Sequence, residues 1–274
     1  MLTLSPDKDL IIQDYALLNQ QSIESTLASS YQQAIADILI YDCIDSTNDA
    51  LWRHNPHPEK VNICLAEMQT SGRGRLGDRW QSPRTGNLYL SLSCPFPAKI
   101  LPTGLSLAIG VTLIKSLKKI GINNLSLKWP NDLLHNRRKL AGILVESRVS
   151  DKQYVVIGIG LNYKLPDTIK KTIQQPTTSL MQLCNQLPCR NRLAGLIIQN
   201  MIDTLTLFQT SGLQSFLNDW QQYDALAEQS IMLIGDTTRT VIAKGINDKG
   251  ELLYQHNNQI HQLTRSDVHI RFAS

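Results

Sequence analysis

Apolar residues follow two rhythms along the chain. Runs rich in Val, Ile and Leu, partly alternating and partly continuous, predict strands in DILIYDCI from Asp37, VNICLAEMQ from Val61, NLYLSLSC from Asn87, LSLKW from Leu125 and YVVIGIGL from Tyr154. Between them a period near four predicts helices. Leu105, Ile109, Leu113 and Leu117 share one face, and Gly121 supplies a stop signal. A second helix runs from about Asn191 to Phe208 with Leu193, Ile197, Met201, Leu205 and Phe208 inward and Gly212 just beyond. A third puts Leu213, Phe216, Leu217 and Trp220 on its apolar side. This irregular mixture predicts an α/β or α+β layer over one large sheet.

Both ends differ from this middle. Residues 1–36 are polar and helix-prone, with a weak periodicity through Ile11, Leu17, Leu18, Ile23 and Leu27. After about Glu228, five short strands (SIMLIG, TVIAKG, ELLYQ, QIHQL and VHIRF) alternate with turn-forming groups at Gly235-Asp236, Asn247 to Gly250 and His256 to Asn258. That spacing predicts a small antiparallel barrel. The organisation read from the chain is therefore an N-terminal helical or linker segment (1–36), a catalytic or binding domain (37–227) and a terminal barrel (228–274).

Composition adds exclusions. Charged residues are 18% and hydrophobic ones 42% of the 274 residues, which describes a globular chain. A net charge of +4 is too mild to argue for a nucleic-acid partner. The longest apolar stretch, Leu105 to Ile114, is broken by Ser106, Gly110 and Thr112 and is too short to span a bilayer. No secretory pattern opens the chain, so a soluble, cytoplasmic protein is expected. Cys43, Cys64, Cys94, Cys184 and Cys189 are odd in number and irregular in spacing, which predicts reduced, mostly packing cysteines and no zinc site.

Four segments carry candidate chemistry. In Ser71-Gly72-Arg73-Gly74-Arg75-Leu76-Gly77-Asp78-Arg79-Trp80, three glycines clear the backbone for an anion. The arginines between them add planar charged forks. Trp80 offers a surface on which a base can stack. The segment matches neither the P-loop nor the dinucleotide glycine fingerprint. Lys128-Trp129-Pro130-Asn131-Asp132 ends a strand, with Pro130 forcing a turn that aims Asn131 and Asp132 into a cleft. It is followed by a hairpin through Arg137 and Arg138, read as a solvated turn. Lys139 abuts the apolar run and belongs either to that turn or to the cleft as a third cation. Asp45-Ser46-Thr47-Asn48-Asp49 is an ordinary helix N-cap by residue type, and also a compact neutral donor and acceptor cluster. Gly158-Ile159-Gly160-Leu161-Asn162 closes a buried strand whose glycines imply close approach of another group, with Asn162 able to read a base or ribose. None of the six histidines sits in a motif, and no Ser/His/Asp set exists. A cleft combining neutral groups, cations, a glycine-rich loop and an aromatic suits the joining of a small acid to a nucleotide phosphate, which requires no protein nucleophile.

These residues resemble the biotin protein ligases (biotin–[acetyl-CoA-carboxylase] ligases). The matching pieces are DSTN at Asp45 to Asn48, the GRGR loop with Trp80, SPRTGNLYLS from Ser82, KWPNDL from Lys128, RKLAGILVE from Arg138 and IGIGLN from Ile157, in the family's order across about 37–274. The resemblance implies an α+β fold: a class II synthetase-like mixed sheet with flanking helices, plus a small C-terminal SH3-like β-barrel. It implies that Ser46, Thr47, Asn48 and Gln69 line the biotin head-group pocket. Arg73, Gly74 and Arg75 would order over the acid tail and the adenylate phosphate. Lys139 would contact the reacting carboxylate or phosphate, Asn131 would position ATP, and Trp80 with Asn162 would flank adenine. Arg75, Lys139 and Asn131 are thus the implied catalytic residues. The implied reaction uses ATP, Mg²⁺ and biotin to form biotinyl-5′-AMP, then transfers biotin to one lysine of the biotin carboxyl carrier protein, a subunit of acetyl-CoA carboxylase.

No metal-ligand set is readable. The family includes dimers formed by edge-to-edge sheet extension, and no feature of the sequence settles the oligomeric state. Asp78 departs from the family's pattern, standing where many members carry a basic residue. Members that double as a repressor begin with a winged helix-turn-helix. Here 45 residues precede Ser46, and LTLSP resembles only the tail of that module, so the expectation is a ligase that does not bind DNA.

Overall fold

The computed structural model describes residues 16–54, 57–84, 86–149, 152–235, 237–264 and 268–273. The LTLSP opening, Ile11 and Asp236 lie outside these. Seven strands form the main sheet: β1 (Ile35–Tyr41), β2 (Val61–Ala66), β3 (Leu88–Phe96), β4 (Leu125–Lys128), β5 (Asp132–His135), β6 (Arg138–Val149) and β7 (Gln153–Leu161). Their order is β1-β2-β3-β7-β6-β5-β4, with β1 and β2 parallel and every other neighbour antiparallel. The expected strands are present. Those from Asp37 and Val61 stop at Tyr41 and Ala66, so Gln69 lies beyond its strand, held by a bridge to Ile44.

Alternation along the central strands assigns the two faces of the sheet distinct tasks. Ile63 and Leu65 of β2, and Val155, Ile157, Ile159 and Leu161 of β7, enter the main core. There they meet the helices Leu105–Lys119 and Arg190–Ser211, which pack against each other. Both helices follow the period read from the sequence: Ile109, Leu113, Leu117, Leu193, Ile197 and Met201 are all fully buried or nearly so. Each such side chain contributes roughly 1.5–3 kcal/mol of transfer free energy. On the opposite face, Cys64 and Val156 meet Ala50 and Leu51 of the helix Thr47–Arg53 in a small second cluster. That thinner face leaves room for a cavity.

The C-terminal strands β8 (Ser230–Ile234), β9 (Thr238–Ile246), β10 (Leu252–His256), β11 (Gln259–Leu263) and β12 (His269–Phe272) form a separate antiparallel sheet in the order β11-β10-β9-β8-β12. This is the small SH3-like barrel expected of the chain. Its buried Ile231, Val241, Ala243, Leu252 and Ile270 are continuous with the main core. Trp129 Nε1 donates to Gly250 O at 2.9 Å, tying the β4–β5 connection to a barrel turn.

The five cysteines are free: Cys64 and Cys94 are buried and Cys184 packs half-buried against the core, whereas Cys43 and Cys189 are exposed, so the packing role expected of most of them holds for three. No helix among the described residues is long and apolar enough to cross a membrane.

Candidate active site

A cavity of about 1020 Å³ opens on the thin face of the sheet. Its floor is three strands in register. Gly142 of β6 faces Gly160 of β7, Leu144 faces Gly158, and Ser91 of β3 faces Gly158 from the other side. Bare backbone is required at two of these positions. A Cβ on Gly158 would lie 2.3 Å from Asn48 Oδ1, and one on Gly160 would lie 2.3 Å from Trp80 Cε2. One on Gly142 would meet Trp80 Cζ3 at 3.0 Å. The close approach expected of IGIGLN is thus made by two site side chains, Asn48 and Trp80, resting on glycines two residues apart on one strand.

The neutral end is built around the N-terminus of the helix Thr47–Arg53. Ser46 is its N-cap, accepting from Asp49 N at 3.4 Å, so the capping reading of this segment is correct as well. Asn48 donates Nδ2 to Glu146 Oε2 at 2.8 Å, and its Oδ1 lies 2.6 Å from Ser91 Oγ. Gln69 Oε1 accepts from Thr47 N and Thr47 Oγ1 at 2.9 and 3.1 Å, while Gln69 Nε2 donates to Ser82 Oγ at 2.8 Å. Ser46, Thr47, Asn48 and Gln69 all line the cavity.

The Gly/Arg segment is a short hairpin. Gly74 N donates to Asp78 O at 2.7 Å and Trp80 N to Gly72 O at 2.9 Å, with Leu76 and Gly77 at its tip both at positive φ (55° and 80°). Arg73 points back toward the neutral end, forking onto Glu146 at 2.8 and 2.7 Å and touching Asp49 Oδ1 at 2.8 Å. Arg75 lies toward the cationic end. Burial holds its guanidinium below the ordinary arginine range, against the opposing charges of Asp132 and Asp78.

At the cationic end Lys139 resolves inward. Its Nζ is 2.7 Å from Asp132 Oδ1 and 5.3 Å from the Trp80 ring centroid, which makes it the third cation of the cleft. Lys128 Nζ lies 3.7 Å from the same carboxylate. Burial lowers the Lys128 pKa, Asp132 counters this, and the nearby charges of Lys139 and Arg271 add to the lowering. Asn131 lines the cavity, with Nδ2 donated to Ile143 O at 2.8 Å. Among the described residues, seven Lys or Arg side chains line the cavity against two carboxylates, Asp78 and Asp132, a balance that favours anionic ligands.

Two residues make contacts that the sequence did not signal. Asn162 does not line the cavity: its amide donates to Lys139 O and Thr178 O at 3.4 and 3.1 Å, fastening the connection that follows β7. Its Nδ2 therefore supports the backbone at Lys139. Arg137 is an exposed turn residue, as read, and in addition stacks over Phe272 at 4.7 Å and donates to Gln229 Oε1 at 2.9 Å. Sequence reasoning also missed Glu146 and the barrel's edge of the cavity, made by Ile234 and by Val268 to Phe272. Glu146 stood at the end of RKLAGILVE, and its place on the glycine side of β6 was the available signal. Nothing local signals where the barrel docks.

Comparison with known proteins agrees with this geometry. Residues 40–162 match the model of the Biotin/lipoate A/B protein ligase family, which defines the class. The bifunctional ligase/repressor BirA of Escherichia coli is 34% identical over 242 residues, covering 86% of this chain and 74% of that protein. The biotin–[acetyl-CoA-carboxylase] ligase of Mycobacterium tuberculosis is 29% identical over 216 residues, covering 76% and 79%. Among solved structures, the biotin protein ligase from Aquifex aeolicus in complex with biotin and ATP superposes with a TM-score of 0.74 at 25% identity, covering 86% of this chain and 99% of that one. The chain belongs to the biotin protein ligase family.

Proposed function

We propose that the chain is an ATP-dependent biotin ligase that makes biotinyl-5′-AMP and pyrophosphate, then transfers the acyl group to one lysine of a biotin carboxyl carrier protein in the cytoplasm. One observation carries the reading. Asn48 and Trp80 rest on Gly158 and Gly160 of a single strand, so a neutral polar pocket and an aromatic shelf open into one cavity beside Arg75, Lys128 and Lys139.

The cavity's ends suit the two substrates. Ser46, Thr47 and Asn48 offer hydroxyl and amide groups to an uncharged ureido head, and Gln69 holds Thr47 in place for that task. The acid tail then runs across the cavity toward Lys139. There the carboxylate oxygen attacks the α-phosphorus of ATP, the bond to the bridging oxygen breaks, and pyrophosphate leaves. Catalysis is positioning plus neutralisation: Lys139 and Arg75 face the charge that grows on the phosphoryl oxygens, and Asn131 stands beside them. Trp80 supplies the face on which adenine stacks. The carrier lysine's amine then attacks the acyl carbon, AMP leaves, and an amide remains.

The donor set fits a Mg²⁺ that arrives with the nucleotide. Among the described residues no cluster of three or more His, Cys, Asp or Glu could cage an ion. Mg²⁺ usually needs about one or two carboxylates beside substrate phosphates, and Asp132 and Asp78 line the cavity. Such an ion would offset the triphosphate charge.

The test is incubation of the full chain with ATP, Mg²⁺, biotin and a purified carrier domain. Biotin on a single carrier lysine, dependent on ATP, is expected. Its absence with an active carrier preparation refutes the proposal.

A further inference from the structure

Glu146 has no part in the chemistry described above, yet its carboxylate is shared by both halves of the neutral end. Oε2 receives Asn48 Nδ2 at 2.8 Å and Arg73 Nη2 at 2.7 Å, while Oε1 receives Arg73 Nη1 at 2.8 Å. Arg73 is bracketed on its other side by Asp49, on the helix that carries Asn48. The Gly/Arg hairpin, the pocket helix and strand β6 therefore converge on one side chain.

Two consequences follow from the chemistry of these groups. An ionised carboxylate only accepts, so it dictates that Asn48 present Nδ2 to Glu146 and Oδ1 to Ser91. A flipped amide would set oxygen against oxygen. With two carboxylates on its fork, Arg73 is also largely neutralised and is poorly placed to serve as an anion clamp. Burial pushes Glu146 up, but the hydrogen bonds from Arg73 and Asn48 and the charge of Arg73 outweigh it, so the carboxyl stays ionised at neutral pH.

We propose that Glu146 is a positioning residue that fixes the amide of Asn48 toward the ligand's head group and, through Arg73, fastens the Gly/Arg hairpin to the same pocket. Occupancy of the pocket and order of the hairpin are then linked through one carboxylate. This rests on the biotin reading for the identity of the head group, though not for the fastening.

The test uses Glu146→Gln, which keeps shape and removes charge, and Arg73→Gln, which breaks the same contact from the other side. Losing a charge-assisted contact of this kind predicts a biotin Kd about tenfold weaker in Glu146→Gln. Because Arg75 and Trp80 ride on the same hairpin, the KM for ATP rises with it, while trypsin cleavage elsewhere in the chain is unchanged, a local effect that general destabilisation would not produce. In the ligand-free chain, trypsin cleavage after Arg75 and Arg79 rises several-fold in both variants, and the double variant is no worse than either single one. An unchanged biotin Kd in Glu146→Gln, unchanged hairpin cleavage, or effects that multiply in the double variant would each overturn the proposal. Faster cleavage in the variants, with no biotin bound even by the parent chain, would instead overturn the substrate reading and leave the fastening standing.

Discussion

The indole of Trp80 occupies the space that a side chain on Gly160 would need, with Trp80 Cε2 only 2.3 Å from an ideal Cβ. Asn48 Oδ1 stands in the same relation to Gly158. Because the two glycines serve different ends of one cavity, a single methyl at each should separate their functions. Gly160→Ala is expected to displace Trp80 and raise the KM for ATP with little change in the KM for biotin. Gly158→Ala is expected to do the reverse. Overpacking costs about 1–3 kcal/mol, so both proteins remain folded, and steady-state kinetics of biotin-dependent pyrophosphate exchange reads the split.

Lys139 holds its place through Asp132 at 2.7 Å, with Lys128 a second partner of that carboxylate. Lys139→Met keeps the length of the side chain and removes its charge, while Lys128 still compensates Asp132. The expected loss is in turnover: a fall in the adenylation rate of about 10²–10³-fold, as when one preorganised donor to a developing charge is removed. Single-turnover measurement of biotinyl-AMP formation checks it, and a change confined to substrate KM would exclude Lys139 from the transition state.

A buried ion pair anchors the region before β1. Arg190 Nη1 lies 2.8 Å from Glu67 Oε2, with the two side chains 3% and 6% exposed. Arg190 also donates to Asn87 O and Ala16 O, and Glu67 accepts from Leu18 N. Arg190→Leu strands a buried carboxylate and should destabilise by about 3–5 kcal/mol, whereas Glu67→Met with Arg190→Leu should recover much of that loss. Urea unfolding of the three proteins decides.

Asp224 lies where the main domain meets the barrel. The neighbouring Ala225 N bonds Leu127 O at 2.8 Å, and Asp224 Oδ2 is buried without a hydrogen-bond partner among the described residues. Burial raises this carboxyl to about 6, from an ordinary 3.8, against the pull of the Leu226 and Ala227 amides. A raised folded-state pKa means stability present below about pH 3.8 and lost as pH rises through about 6, a cost of up to about 3 kcal/mol at neutral pH. Asp224→Asn is therefore expected to raise Tm by a few degrees at pH 7.5 and to flatten the stability profile between pH 4 and 6. Parallel profiles for the two proteins would refute this.

Much of the fold was legible because its signals are local. The fourfold period of Leu105 to Leu117 and the runs of Val and Ile report directly which face is buried. The site was legible where its residues are consecutive, as in Ser46-Thr47-Asn48 and the Gly/Arg hairpin. It was not legible where the contacts are long-range. Arg73 meets Glu146 across 73 positions, and only the register of β6 on β7 brings them together. The bracing of Lys139 O and Thr178 O by Asn162 was not legible either, because a side-chain amide that braces backbone carbonyls has the same residue type as one that reads a ligand. The docking of β12 against the cavity depends on packing of the whole barrel, which no periodicity encodes.

The expectations for the site rest on one cavity holding an acid and a nucleotide within bonding reach. The most direct measurement is exchange of labelled pyrophosphate into ATP by the full chain, with biotin and lipoate compared side by side. Exchange that requires biotin, and does not occur with lipoate, is the predicted result. Exchange that is absent with biotin, or that lipoate supports as well, would contradict the account.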